Sequence, residues 1–321
     1  GLAALGLVGA VAVGSRVATH ARGSNTGGAV VADDFALFFH FLILAVGLLA
    51  VLLSPAYLRA TGAERGEYYT LMLWSVVGML GLVSARELIA LFVALEIMSV
   101  SAYALAGLQR DRVESQESAI KYFVTGAFSS AFFLYGVALL YGASGSTRLA
   151  VIARAVADPP AGGATLALLG TGLLLVGFGF KVASVPFHAW APDVYEGAPT
   201  SVTAFMAAGV KAAAFGAFLR VFLEALQPLR QDWQPAVAIL AVVSMVLGNL
   251  GALAQSNLKR MLAYSSIGHA GYLLAGLVAR GPVAAEAVMF YLVGYAAVSL
   301  VAFGVLAAIA RDGREPLSLD D

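Results

Sequence analysis

Residues 166–211 read LALLGTGLLLVGFGFKVASVPFHAWAPDVYEGAPTSVTAFMAAGVK, an apolar run that ends on Lys181, breaks around Pro186 and resumes as far as Lys211. Charging a lysine at the centre of a spanning helix costs roughly 2.5 to 3.5 kcal/mol on insertion scales, so each of these two needs a partner, water or a weaker hold on its proton. Gly177 and Gly179 beside Lys181 allow close backbone approach, and Pro186 withholds a hydrogen bond and frees carbonyls. A helix broken at membrane depth is tolerated only against protein or a wet cavity. His188 follows the break; Asp193 and Glu196 come next, in a stretch without Lys or Arg that reads as a loop.

Working outward, apolar stretches long enough to cross about 30 Å of hydrocarbon lie near 2–18, 35–58, 68–84, 88–108, 116–141, 165–184, 201–226, 235–254, 261–279 and 283–310. Connectors such as DPPAGG (158–163) and QPLRQDW (227–233) carry the punctuation between them. The chain therefore reads as an all-α polytopic membrane protein of about ten transmembrane helices. It is 60% hydrophobic and only 12% charged, against about 25% charged in an ordinary soluble domain. Zero formal net charge gives no reason to expect nucleic acid. Lacking cysteine, this chain carries no disulfide, thiolate-held iron–sulfur cluster or covalently attached haem. Lys and Arg divide almost evenly between the two sets of connectors, Lys259 and Arg260 being read as connector residues, so charge does not assign an orientation. Gly1 opens in mid-run and REPLSLDD closes on a polar connector; the chain reads as a fragment lacking both ends.

Sliding the chain by 169 residues lays SAYALAGL, ending at Leu108, over AGYLLAGL, ending at Leu277. The same offset places Tyr103 on Tyr272, Glu117 on Glu286 and Tyr122 on Tyr291. Repeated bundles with interrupted helices are the usual plan of secondary transporters. The implied division is peripheral helices over 1–66, a first repeat over 67–226 and an incomplete second repeat over 227–321.

Glu96 lies in an apolar helix, and Glu117 and Lys121 stand four apart in the favourable order for an ion pair on one helical face. In chain order Glu96, Glu117, Lys121, Lys181, His188 and Lys211 supply the titratable groups a proton relay needs. Desolvation disfavours a charged ammonium and a nearby carboxylate opposes that, so moving the carboxylate away would release the proton. The competing reading is structural ion pairs that fix helix register without transport. His40 and His269 read as hydrogen-bonded, helix-facing residues. GxxG spacings at Gly78/Gly81, Gly248/Gly251 and Gly268/Gly271 read as close helix packing. No nucleotide-binding glycine motif is present.

Four ordered motifs carry a resemblance: LFVALEIMSVSAYALAG (91–107), ESAIKYFVTGAFSSAFFLYG (117–136), GFGFKVASVPFHAWAPDVYEGAPTSVTAFMAAGVKAAAF (177–215) and NLGALAQSNLKRMLAYSSIGHAGY (249–272). The chain resembles the antiporter-like membrane subunits of respiratory complex I, with DVYEGAPT and GVKAAAF closest to the subunit N branch of bacterial NADH:quinone oxidoreductase. That resemblance implies a fourteen-helix bundle of two inverted five-helix repeats, each with a broken helix, here the one around Lys181–Pro186, with this fragment lacking the first helix and the last three. It implies that Glu96 pairs with and tunes Lys181, that Lys211 hands protons toward the centre, and that Lys121 is accessory. It also implies no cofactor on this chain, with NADH, FMN, iron–sulfur clusters and quinone on partner subunits. The partners would be the other membrane subunits, the peripheral redox arm, the lipid bilayer and protons, in a bacterial inner membrane. A subunit of a multi-subunit cation/proton antiporter or of a membrane-bound hydrogenase is the alternative within similar bundles.

Overall fold

The computed structural model describes residues 1–20, 23, 25, 26, 28–279, 283–311, 315, 317 and 318. Among them are ten helical spans long and apolar enough to cross a membrane. Eight are single helices: α1 (Leu2–His20), α2 (Asp34–Ala60), α3 (Gly66–Ser84), α4 (Leu88–Ala106), α5 (Val113–Ser144), then, after the surface helix α6 (Leu149–Ala157), α7 (Gly163–Val182), and late in the chain α12 (Leu258–Val278) and α13 (Ala284–Ile309) complete the set with two composite spans between them. The first composite span strings together α9 (Thr200–Phe205), a π turn (Met206–Val210), α10 (Lys211–Arg220) and a second π turn (Val221–Ala225). The second is a 3-10 turn (Gln227–Leu229) running into α11 (Arg230–Leu253). Between α7 and α9 stands the short α8 (Trp190–Gly197), where the sequence reads as a loop.

Helix ends follow local chemistry. Asp33 caps α2 by accepting from the Ala36 N–H at 2.8 Å, and Asn257 caps α12 by accepting from Lys259 and Arg260. α7 stops at Ala183, which takes the left-handed conformation (φ 57°) usually left to glycine, and the Ser184 N–H folds back onto the Gly179 carbonyl at 2.9 Å. The helix therefore ends four residues before Pro186, and α8 starts four residues after it.

Successive spans alternate in direction. Asp33, Val83 and Arg220 meet at one end of the bundle, whereas Tyr57, Ala198, Thr200 and Lys259 meet at the other. The composite span 200–225 is the hub: it is buried without interruption from Thr200 to Phe222, with α2, α3, α7 and α13 packed around α10. The glycine spacings are close crossings. A Cβ on Gly78 would strike the Met98 backbone nitrogen of α4, and one on Gly248 would strike the Gly268 nitrogen of α12. The two crossings are related by 170 residues at both partners, so α3–α4 and α11–α12 are packed by the same device.

Candidate functional site

Lys181, on the last turn of α7, is 4% exposed. Its Nζ donates to Ser99 Oγ at 2.6 Å and Tyr103 Oη at 3.1 Å, both on α4. Three rings surround the ammonium, with Nζ 5.2 Å from the Tyr103 centroid, 5.8 Å from Tyr122 and 5.6 Å from Phe180. Such faces attract a cation, by about 2 kcal/mol or more where water is excluded. The glycines beside Lys181 do what their positions suggest: a Cβ at Gly177 would meet Phe133 at 2.7 Å and one at Gly179 would meet Phe187 at 2.6 Å.

Lys211, 2% exposed, starts α10 where the first π turn ends. Its Nζ donates to the Ser266 carbonyl at 2.7 Å and to Ser266 Oγ, both on α12, and lies 5.5 Å from the centroid of Tyr295 on α13. Ser266 Oγ is in turn 2.7 Å from Tyr295 Oη. π turns are rare and concentrate at functional sites, because the wide turn leaves backbone groups without helical partners. Among the described residues no carboxylate is in ion-pair contact with either lysine.

Glu96 takes a different place from the one the resemblance implies. Its carboxylate accepts from Ser130 of α5 and borders an open cavity of about 340 Å³ with Trp74, Ile97, Val100 and Ser101. The direct Glu96–Lys181 ion pair is not formed, because the lysine is satisfied by Ser99 and Tyr103, one and two turns farther along α4. The Glu117–Lys121 pair forms as its spacing requires, at 2.6 Å. Lys121 also reaches Asp193 at 2.5 Å. It is 42% exposed at its side chain, unlike the two interior lysines. His188 sits half-buried in the break, and its Nδ1 has no hydrogen-bond partner among the described residues.

Three features escape a reading of the sequence. Asp193 and Glu196 are not without cations: Arg260 Nη1 lies 2.7 Å from a carboxylate oxygen of each, brought there by the approach of α12 to α8. Lys259 is no connector residue but 1% exposed within α12, donating to the Ala198 carbonyl at 2.6 Å and facing Glu315 at 3.5 Å. His269, one turn beyond Ser266 on α12, lies 2.5 Å from Tyr291 Oη and packs against the Tyr295 ring, so it adjoins the Lys211 cluster. The internal repeat was the available signal for His269. The Tyr103–Tyr122 rings that flank Lys181 recur as Tyr272–Tyr291, which flank His269. His40 is bonded to Ser84 Oγ at 2.7 Å, as a helix-facing histidine should be.

At the opposite end, Arg220 is fully buried at its side chain. It grips Asp33 with two nitrogens at 2.7 and 2.9 Å, donates to the Val83 carbonyl at 3.0 Å and lies 3.2 Å from Glu224. Arg86 binds the same two carboxylates. Burial tends to raise the Asp33 carboxyl, but the bonds from Arg220 and the Ala36 N–H, with the charges of Arg220 and Arg86, hold it below the usual carboxylate range.

Comparison with known proteins places this geometry. NADH-quinone oxidoreductase subunit N of Trichlorobacter lovleyi is 45% identical over 314 residues, covering 97% of this chain and 64% of the relative. A chain of respiratory complex I from Thermus thermophilus, solved with bound aureothin, superposes with a TM-score of 0.79 at 42% identity, over 97% of this chain and 65% of that one. A chain of the Mrp complex from Dietzia sp. gives a TM-score of 0.81 at 25% identity, over 96% of this chain and 59% of that one. The chain thus spans 59–65% of the length of these relatives, less than two thirds. The family model for the transmembrane region of NADH:quinone oxidoreductase and Mrp antiporters matches residues 85–319, from the start of the α3–α4 connector past the end of α13. The chain belongs to the NADH:quinone oxidoreductase/Mrp antiporter transmembrane family.

Proposed function

We propose that this chain is the proton-carrying part of a subunit N of bacterial NADH:quinone oxidoreductase, seated in the inner membrane. Quinone reduction in partner subunits drives it. NADH, FMN, iron–sulfur clusters and quinone belong to those partners, and this chain contributes membrane-embedded titratable groups. The observation that carries the reading is that Lys181 and Lys211 are buried at helix irregularities with hydroxyls and a backbone carbonyl as their hydrogen-bond partners. No ion pair fixes the charge of either ammonium among the described residues, so each responds to charges that approach or leave it. Glu96 on α4 and the Lys121–Glu117 pair on α5 supply further titratable groups, and His188 is another candidate in the break. Moving one charge against 100 mV requires about 2.3 kcal/mol, so the work comes from the coupled redox partners.

Lys181→Ala in the full-length subunit, within the assembled complex in proteoliposomes, is expected to suppress the proton translocation linked to NADH oxidation. Unchanged stoichiometry per assembled complex would overturn this role. The Mrp likeness supports a second reading, a cation/proton antiporter subunit, because the fold is shared equally well. Copurification separates the two: peripheral NADH-oxidising and iron–sulfur subunits accompany the first, only small hydrophobic subunits the second.

A further inference from the structure

The distal half of the broken helix is held by charge. Arg260 Nη1 reaches Asp193 Oδ1 and Glu196 Oε2, each at 2.7 Å; Asn257 Nδ2 donates to Glu196 Oε1 at 3.0 Å; and Lys259 Nζ donates to the Ala198 carbonyl at the C-terminal end of α8. All three donors lie on the first turn of α12 or its cap. From the other side Lys121 of α5 binds Asp193 Oδ2. A cation at the C-terminal end of a helix is favourable to its dipole, so Lys259 adds to the same grip.

Both lysine sites are mechanically attached to this clamp. At its start, α8 carries Trp190, whose Nε1–H donates to the Phe180 carbonyl at 3.1 Å and whose ring stacks on Tyr122 at 4.4 Å with the planes 8° apart. Phe180 and Tyr122 are two of the three rings around Lys181. On the other arm, α12 runs from Arg260 without a break to Ser266, the partner of Lys211. Displacing α8 relative to α12 therefore disturbs the cage of one lysine and shifts it against the support of the other. We propose that Arg260, acting through Asp193 and Glu196, is a positioning residue that couples the Lys181 and Lys211 sites, and that its loss uncouples transport without removing a titratable relay group. This rests on the proton-translocation reading above.

The test uses the full-length subunit in its assembled complex in proteoliposomes, with the initial rate of NADH-driven proton translocation divided by the amount of complex. Arg260→Gln is expected to lower that ratio at least about twofold, within the range mutations along a coupling network produce. Arg260→Lys, which keeps the charge, restores most of it. Asp193→Asn lowers it similarly, and the double variant is no worse than either single one, because the pair acts as a unit. Glu196→Gln gives the same reading in milder form and serves where Arg260→Gln does not assemble. A ratio unchanged in the assembled variants, with only the yield of complex reduced, overturns the proposal, as does an additive double variant. Lys181→Ala run in parallel separates the two levels. If it too leaves the ratio unchanged, the function reading has failed; if it alone lowers the ratio, only the coupling role has.

Discussion

The cations inside this bundle and those at its ends are held by different chemistry. Lys181 and Lys211 have hydroxyls, aromatic faces and one carbonyl around them, whereas Arg220, Arg86, Lys121, Lys259 and Arg260 each contact at least one carboxylate. An ion pair favours the charged form of both partners, so the end clusters tie helices together through opposite charges. The interior lysines have no such tie. Buried in the one place where a charge is most costly, they are equipped with groups that accommodate an ammonium without fixing it. The cations are thus sorted along the membrane normal, with carboxylate-paired ones at the ends and hydroxyl-bonded ones between them.

The hardest blow to this contrast comes from its structural side. Arg220→Leu leaves Asp33 and Glu224 without the guanidinium between them, and breaking a buried pair from one side costs about 3 kcal/mol or more. The expected result is a lower thermal midpoint of the detergent-solubilised complex and less of it assembled, with transport per surviving complex intact. Lys181→Arg probes the other side. Arginine keeps a positive charge but does not release its proton in proteins, so transport should fall about 100-fold, the scale of losing a positioned proton-transfer group. Full transport by that variant, measured as vesicle acidification, would mean that only a fixed charge is needed.

Smaller changes sharpen the comparison between the two lysines. Tyr103→Phe removes one hydroxyl from Lys181 and keeps the ring; Ser266→Ala removes one from Lys211 and keeps the carbonyl. Each should cost about 1 kcal/mol, or roughly fivefold in turnover, without affecting assembly. The mildest effect is that of acid on the Asp33 cluster. Because the Asp33 carboxyl is held below its unfolded value, its contribution to stability is complete above about pH 4 and is lost as pH falls through the lower folded value. Hydrogen-exchange protection factors at the N-terminus of α2, taken relative to the intrinsic rate at each pH, should fall in that range, and Asp33→Asn should remove this pH dependence.

Much of this was legible because it is local or periodic. Ten spans follow from runs of apolar residues, the Glu117–Lys121 pair follows from its four-residue spacing, and the recurrence of Tyr103 and Tyr122 as Tyr272 and Tyr291 follows from the offset. What stayed hidden depends on contacts distant in the chain. Lys259 finds Ala198 and Glu315, and Asp193 finds Arg260, only when α8 is laid against the start of α12. The Glu96–Lys181 pairing is what the family resemblance implies. Ser99, Tyr103 and Ser130 intervene because a hydroxyl can satisfy either ion, and no pattern in a sequence marks which serines do so.

The wide turns on either side of α10 carry a consequence for how this span tolerates change in length. A π turn is what remains when a helix absorbs one inserted residue while its two ends keep their facing, since each residue of an α-helix advances the face by about 100°. Trimming a single residue from 206–210 would tighten that loop of backbone and still present Lys211 to Ser266. Trimming one from within α10 would instead rotate Arg220 away from Asp33. The two extra residues act as slack on each flank of a segment whose ten positions admit none.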